Sequence, residues 1–198
     1  MNRTLVLSGL SCWLASAASP VLACPLLVDL GNLGSDNTVV SDAAAAHVVG
    51  GSNTVGGVSH AFDWFAGSMS DLGTLGGATS VAKGINSSQS IVGFSLNGSG
   101  QTRGFIWSAG TMTALGTLGG ATSVALSINS SGVVVGHATT GGWSPQTHGV
   151  RWNGVGITDL GTLGGNYSIA RRVNGLGNIV GAAKNAAGVL LPAYYPTV

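Results

Sequence analysis

Between Ser80 and Asn86 the chain alternates, with Val81, Lys83 and Ile85 on one set of positions and Ala82, Gly84 and Asn86 on the other. A period of two predicts a β-strand, here with very small side chains on one face, against which a neighbouring sheet can approach closely. The alternation returns as Val124, Leu126 and Ile128 against Ala125, Ser127 and Asn129, and as Ile169, Arg171 and Val173 against Ala170, Arg172 and Asn174. Each run leads into a turn opened by asparagine, Asn86-Ser87-Ser88-Gln89, Asn129-Ser130-Ser131-Gly132 and Asn174-Gly175-Leu176-Gly177, whose side chain can bond its own downstream backbone. A second apolar run follows, Ile91-Val92-Gly93, Val134-Val135-Gly136 or Ile179-Val180-Gly181, which predicts a hairpin. A Gly- and Ser-rich loop then leads to a further predicted strand, His60-Ala61-Phe62-Asp63-Trp64, Arg103-Gly104-Phe105-Ile106-Trp107 or His148-Gly149-Val150-Arg151-Trp152. Asp71 to Leu75, closed by Gly76-Gly77, reads as a short strand ending in a turn. No apolar set sustains a 3.6-residue period, and glycine is frequent, so no helix is predicted.

These pieces form one unit written four times. Leu30-Gly31-Asn32-Leu33, Leu72-Gly73-Thr74-Leu75, Leu115-Gly116-Thr117-Leu118 and Leu160-Gly161-Thr162-Leu163 mark it, with starts 42, 43 and 45 residues apart. Four short strands in about 43 residues match the blade of a β-propeller, and four blades could close into a small ring. The fold class expected is therefore all-β, in tandem four-stranded repeats arranged like a propeller. The alternative is a stacked β-solenoid, whose coils are commonly shorter and whose glycine-aspartate calcium repeats are missing here. The aromatic girdles of a porin-like barrel are absent.

Composition narrows location and partners. Met1-Asn2-Arg3, the apolar stretch from Leu5 to Ala18, and Val21-Leu22-Ala23 form the pattern of a secretory signal over residues 1–23, leaving a repeat domain over 24–198. Cys12 departs with that signal, so Cys24 is the single cysteine of the expected mature chain and no internal disulfide can form. Val21-Leu22-Ala23-Cys24 resembles a bacterial lipoprotein signal, in which the cysteine carries lipid, although Leu22 and Pro25 fit that pattern poorly; plain secretion is the other reading. The membrane is a partner only if Cys24 is lipidated. Charged residues make up 7% of the chain and none is glutamate. With no basic stripe to displace counterions from phosphates, nucleic acid is not an expected partner.

At His60-Ala61-Phe62 the chain resembles the bacterial extracellular repeat family named for its His-Ala-Phe (HAF) motif. That family's units read as the motif, a tryptophan, Asp-Leu-Gly-Thr-Leu-Gly-Gly, Ser-x-Ala, Ile-Asn and Val-Val-Gly, and the match runs from Val28 to the C-terminus. The resemblance implies export to the extracellular space or cell surface of a bacterium, tandem β units and no established activity. It supplies no catalytic residues. Three departures stand out: Ala43 where an asparagine is expected, Ala114 in place of aspartate, and Val189-Leu190-Leu191-Pro192 in place of the aromatic strand. They fall mostly in the end units, as expected of caps in a repeat array.

A residue that recurs in every unit is ordinarily scaffold. Trp64, Trp107 and Trp152 are expected in the core between units, and Asp29, Asp71 and Asp159 are expected to bond backbone. His60, Arg103 and His148 share one position, where the arginine argues against a metal ring, and no metal or cofactor is expected. The chain holds no Gly-x-Ser-x-Gly, His-Glu-x-x-His or phosphate-loop motif and no pair of carboxylates outside the repeating positions suited to a cleft, so no enzyme is expected. The residues that escape the pattern are the candidate binding residues: Trp143, in the insertion Gly141-Gly142-Trp143-Ser144-Pro145, and the cluster Tyr167, Arg171 and Arg172. The function expected is an exported non-catalytic module that binds a surface glycan or protein partner, with self-association as a further option. The alternative is a structural spacer without a dedicated site, against which a concave pocket lined by unrepeated polar groups would count.

Overall fold

The computed structural model describes residues 27–154 and 156–196. The expected signal over residues 1–23 and Cys24 lie outside the described residues. Every element described is a β-strand. The first unit holds β1 (Gly34–Ala44), β2 (His47–Thr54), β3 (Ser59–Phe65) and β4 (Ser68–Asp71). The second holds β5 (Gly76–Ile85), β6 (Ile91–Asn97), β7 (Thr102–Ser108) and β8 (Thr111–Ala114). The third holds β9 (Gly119–Ile128), β10 (Val134–Thr140), β11 (Thr147–Asn153) and β12 (Gly156–Asp159), and the fourth β13 (Gly164–Val173), β14 (Ile179–Asn185) and β15 (Leu190–Tyr195). Within a unit the strands form an antiparallel meander. A single parallel bridge, Thr147 to Tyr167, joins the third meander to the fourth, so three sheets result and none closes on itself.

The first three units hold the four strands of the sequence reading and the fourth holds three, and the membership differs. Asp71 to Leu75 is not a strand: Asp71 ends β4, and Leu72 to Thr74 form the connection. The Asp71 Oδ1 atom accepts from Gly73 N at 2.8 Å, which curls the chain at a glycine of positive φ, 75°. Gly76 and Gly77 then open β5 rather than close a strand. A Cβ on Gly77 would stand 2.6 Å from Leu96 Cβ, so the close crossing of β5 and β6 requires glycine there.

The first strand of each unit carries a β-bulge at one fixed place. Ala82 pairs with Gly93 and Gly84 with Val92, leaving Lys83 as the extra residue. The register leaves Ser41, Leu126 and Arg171 extra in β1, β9 and β13. The bulge puts Ala82 and Ile85, three positions apart, on one buried face. It also explains the invariant glycine of the returning strand: a Cβ on Gly93 would sit 2.1 Å from Val81 O, and Gly50, Gly136 and Gly181 meet the equivalent carbonyls at 1.9 to 2.0 Å.

Units stack face to face. Val49, Ala61 and Leu72 of the first unit pack on Ala82, Ile85, Ile91 and Phe105 of the second. Val92 and Leu115 of the second pack on Ala125, Ile128, Val134, Val150 and Trp152 of the third. Val135 of the third meets Ala170 and Ile179 of the fourth. One hydrogen bond recurs at each junction: the amides of Ala61, Gly104 and Gly149 donate to the hydroxyls of Ser80, Ser123 and Ser168 at 2.8, 3.0 and 2.8 Å. These buried serines of the next unit explain both the small residue in His-Ala-Phe and the repeated Ser-x-Ala. Among the described residues no such cluster joins the fourth unit to the first.

Two departures from the repeat resolve differently in the structure. Ala43 lies opposite Val48 as Ile85 lies opposite Ile91, so the asparagine position is filled by Ala44, one residue later. The fourth unit keeps an aromatic ring, because β15 places Tyr195 opposite Ile179 as Trp107 stands opposite Ile91. Leu190 to Pro192 hid this, since the aromatic lies at the far end of the strand.

Candidate ligand-binding groove

The bulges aim their extra side chains at a common place. Ser41, Lys83, Leu126 and Arg171, one from each unit, line a groove of about 470 Å³ together with Val39, Val40 and Arg172. A bulge bends its strand and re-aims a side chain, and here the same device acts four times on one concavity. Around these positions the sequence repeats, whereas the bulge residues themselves are serine, lysine, leucine and arginine. The scaffold therefore holds a variable position at a fixed place.

Charge is concentrated there. Lys83, Arg171 and Arg172 are three of the six lysines and arginines beyond residue 26, and none of the six aspartates lines the groove. Five aspartates have partners elsewhere. Asp29, Asp71 and Asp159 accept from the amides of Gly31, Gly73 and Gly161, the backbone role expected of them. Asp71 and Asp159 also accept from His60 and His148 Nδ1, each at 2.7 Å, while Asp63 meets His47 Nδ1 at 2.9 Å. Asp42 accepts from Ile85 N at 3.2 Å. The Lys83 ammonium lies 5.7 Å from the centroid of the Phe94 ring, which steadies a long side chain at the groove wall. On the next strand of the third unit, His137 is held below the usual imidazole range by burial and then by the Arg171 charge.

The expected site residues do not converge. Arg171 and Arg172 are in the groove. Tyr167 is four residues earlier on β13, about 13 Å away along an extended strand, where the Lys184 ammonium lies 6.0 Å from its ring centroid. Trp143 is fully exposed in the loop between β10 and β11 and is not part of the groove lining. Sequence reasoning missed Lys83, Ser41 and Leu126. The signal available was a position that varies between units inside a segment that otherwise repeats.

The recurrent residues take scaffold roles. Trp152 is buried between the second and third units and donates its Nε1–H to Gly116 O at 3.1 Å, and Trp107 packs against the first junction. Where arginine replaces histidine at position 103, alanine replaces the paired aspartate at 114, so the ion pair changes as a unit; Arg103 instead donates to Ala121 O and Gln101 Oε1. Among the described residues no three His, Cys or Asp side chains gather as a metal-ligand set. Comparison with known protein families, curated proteins and solved structures finds no match to this chain.

Proposed function

We propose that this chain is an exported, non-catalytic binding module of the HAF-repeat kind, its four units standing as propeller-like blades around the groove, which takes an anionic ligand. The observation that carries the reading is the groove itself, a concavity lined by Lys83, Arg171 and Arg172 and by no carboxylate. Cations sharing one low-charge wall raise the local concentration of an anion and hold carboxylate or sulfate groups by charge-assisted hydrogen bonds. A bare spacer has no use for a concave surface whose polar residues escape the repeat. The signal-like pattern over residues 1–23 supports export. An anionic cell-surface polysaccharide fits an exported protein with an open groove.

The test is calorimetric titration with polygalacturonate, a carboxylate-bearing polysaccharide, beside dextran as a neutral control. Binding is expected to the first alone and to weaken as salt is raised. The triple substitution Lys83→Gln, Arg171→Gln and Arg172→Gln should weaken it at least about tenfold, since each charged hydrogen bond contributes about 1.5 kcal/mol or more. Arg103→Gln, outside the groove, should leave binding unchanged. Loss of binding in Trp143→Ala with retention in the triple variant would move the site to the β10–β11 loop.

A further inference from the structure

The two ends of the array expose complementary faces. At each internal junction a valine of the second strand faces the next unit: Val49, Val92 and Val135 are all 0% exposed. The register puts Val180 at that place in the fourth unit, and it is 49% exposed. Beside it Tyr194, equivalent by register to Ile106, is 60% exposed. The first unit shows the converse. Val40 stands where Ala82, Ala125 and Ala170 are fully buried against a preceding unit, and it is 51% exposed. The fourth unit therefore offers the face that a following unit covers, and the first offers the face that a preceding unit covers.

We infer that the occupant of each end face is a second copy of this chain, the fourth unit of one copy packing on the first unit of the other. The chain itself displays three examples of what such a face takes, and the first unit carries the matching surface. Such a contact is heterologous: two copies close a ring if both junctions form together, and a longer assembly grows if they do not. The junction also differs from the internal ones. Pro192 stands opposite Ala182 as Gly104 stands opposite Phe94 and Gly149 opposite His137, so the position that donates an amide to the next unit's serine has no N–H. Val40 adds two methyl groups where the internal junctions have alanine. Without the hydrogen bond and with a bulkier contact, the junction is weaker than the three inside the chain. Association is accordingly reversible and depends on concentration.

The experiment is sedimentation equilibrium of the purified chain over a hundredfold range of concentration, with Val40→Asp and Val180→Asp alone and mixed. Both positions are half exposed in the single chain, so the variants should keep the wild-type circular dichroism and melting temperature. The mass of the wild type should rise from one chain to a multiple. Each variant alone should stay at one chain, because each spoils every junction. An equimolar mixture should regain a two-chain species, since the fourth unit of the Val40→Asp copy and the first unit of the Val180→Asp copy are intact. A single-chain mass at every concentration overturns the inference, and lowered melting of both variants would then indicate closure within one chain. Loss of association on Val180→Asp with none on Val40→Asp overturns it in favour of two fourth units meeting face to face.

Discussion

Protonation of His137 should loosen the contact between the third and fourth units. Its Nδ1 is buried with no hydrogen-bond partner, and burial with the nearby Arg171 charge holds its pKa below 6.5. The unfolded chain takes up the proton near 6.5, whereas the folded side chain refuses it until lower pH. Stability from this group is therefore complete above 6.5 and is lost as pH falls from there through the folded value. Melting temperature followed from about pH 8 to about pH 5 should decline on the acid side, and His137→Gln should make that decline shallower. An identical slope in the variant would show that the imidazole contributes nothing to it. At the same scale, Arg171 has two effects: it charges the groove and disfavours a second cation beside it.

At the level of elements, the asparagine turns tie neighbouring units together as well as closing their own hairpins. Asn129 Oδ1 accepts from the amides of Ser131 and Val133, while its Nδ2 donates to Asn174 O at 3.0 Å in the next unit. Asn86 does the same toward Asn129 O at 3.0 Å. Asn129→Ala removes all three bonds at a buried position and should destabilise by about 3 kcal/mol in denaturant unfolding. Asn129→Asp, which keeps the acceptor but loses the donor, should fall between that variant and wild type. Equal losses in both would assign the whole effect to the bond between units. The self-bonding turn was legible in the sequence because Asx turns have a local signature. The bond between units was not, since it joins residues 43 and 45 positions apart. The bulge escaped for another reason: Val81, Lys83 and Ile85 keep alternating through it, and the slip that buries Ala82 with Ile85 shows only in pairing. Asp71 to Leu75 misled because two leucines around a glycine look like a strand, while the aspartate side chain and a left-handed glycine make them a connector.

For the whole molecule, repetition and function sit at different residues. The four-fold phrase, the glycines under each bulge, the serines at the junctions and the tryptophans build an array in which four first strands line one groove. That repetition made the all-β class and the unit legible, and the recurrent aspartates accept from backbone amides as it led one to expect. It could not show that Lys83 and Arg171, 88 residues apart in the chain, line one concavity, because that follows from the curvature of the stack. The central claim is that an anion is held there and not at Trp143. Its most direct test is chemical-shift mapping of the backbone amides on titration with oligogalacturonate. The largest shifts should fall at Ser41, Lys83, Leu126, Arg171 and Arg172, fading as salt is raised. Shifts confined to Gly141 to Gln146, or none at all, would contradict it.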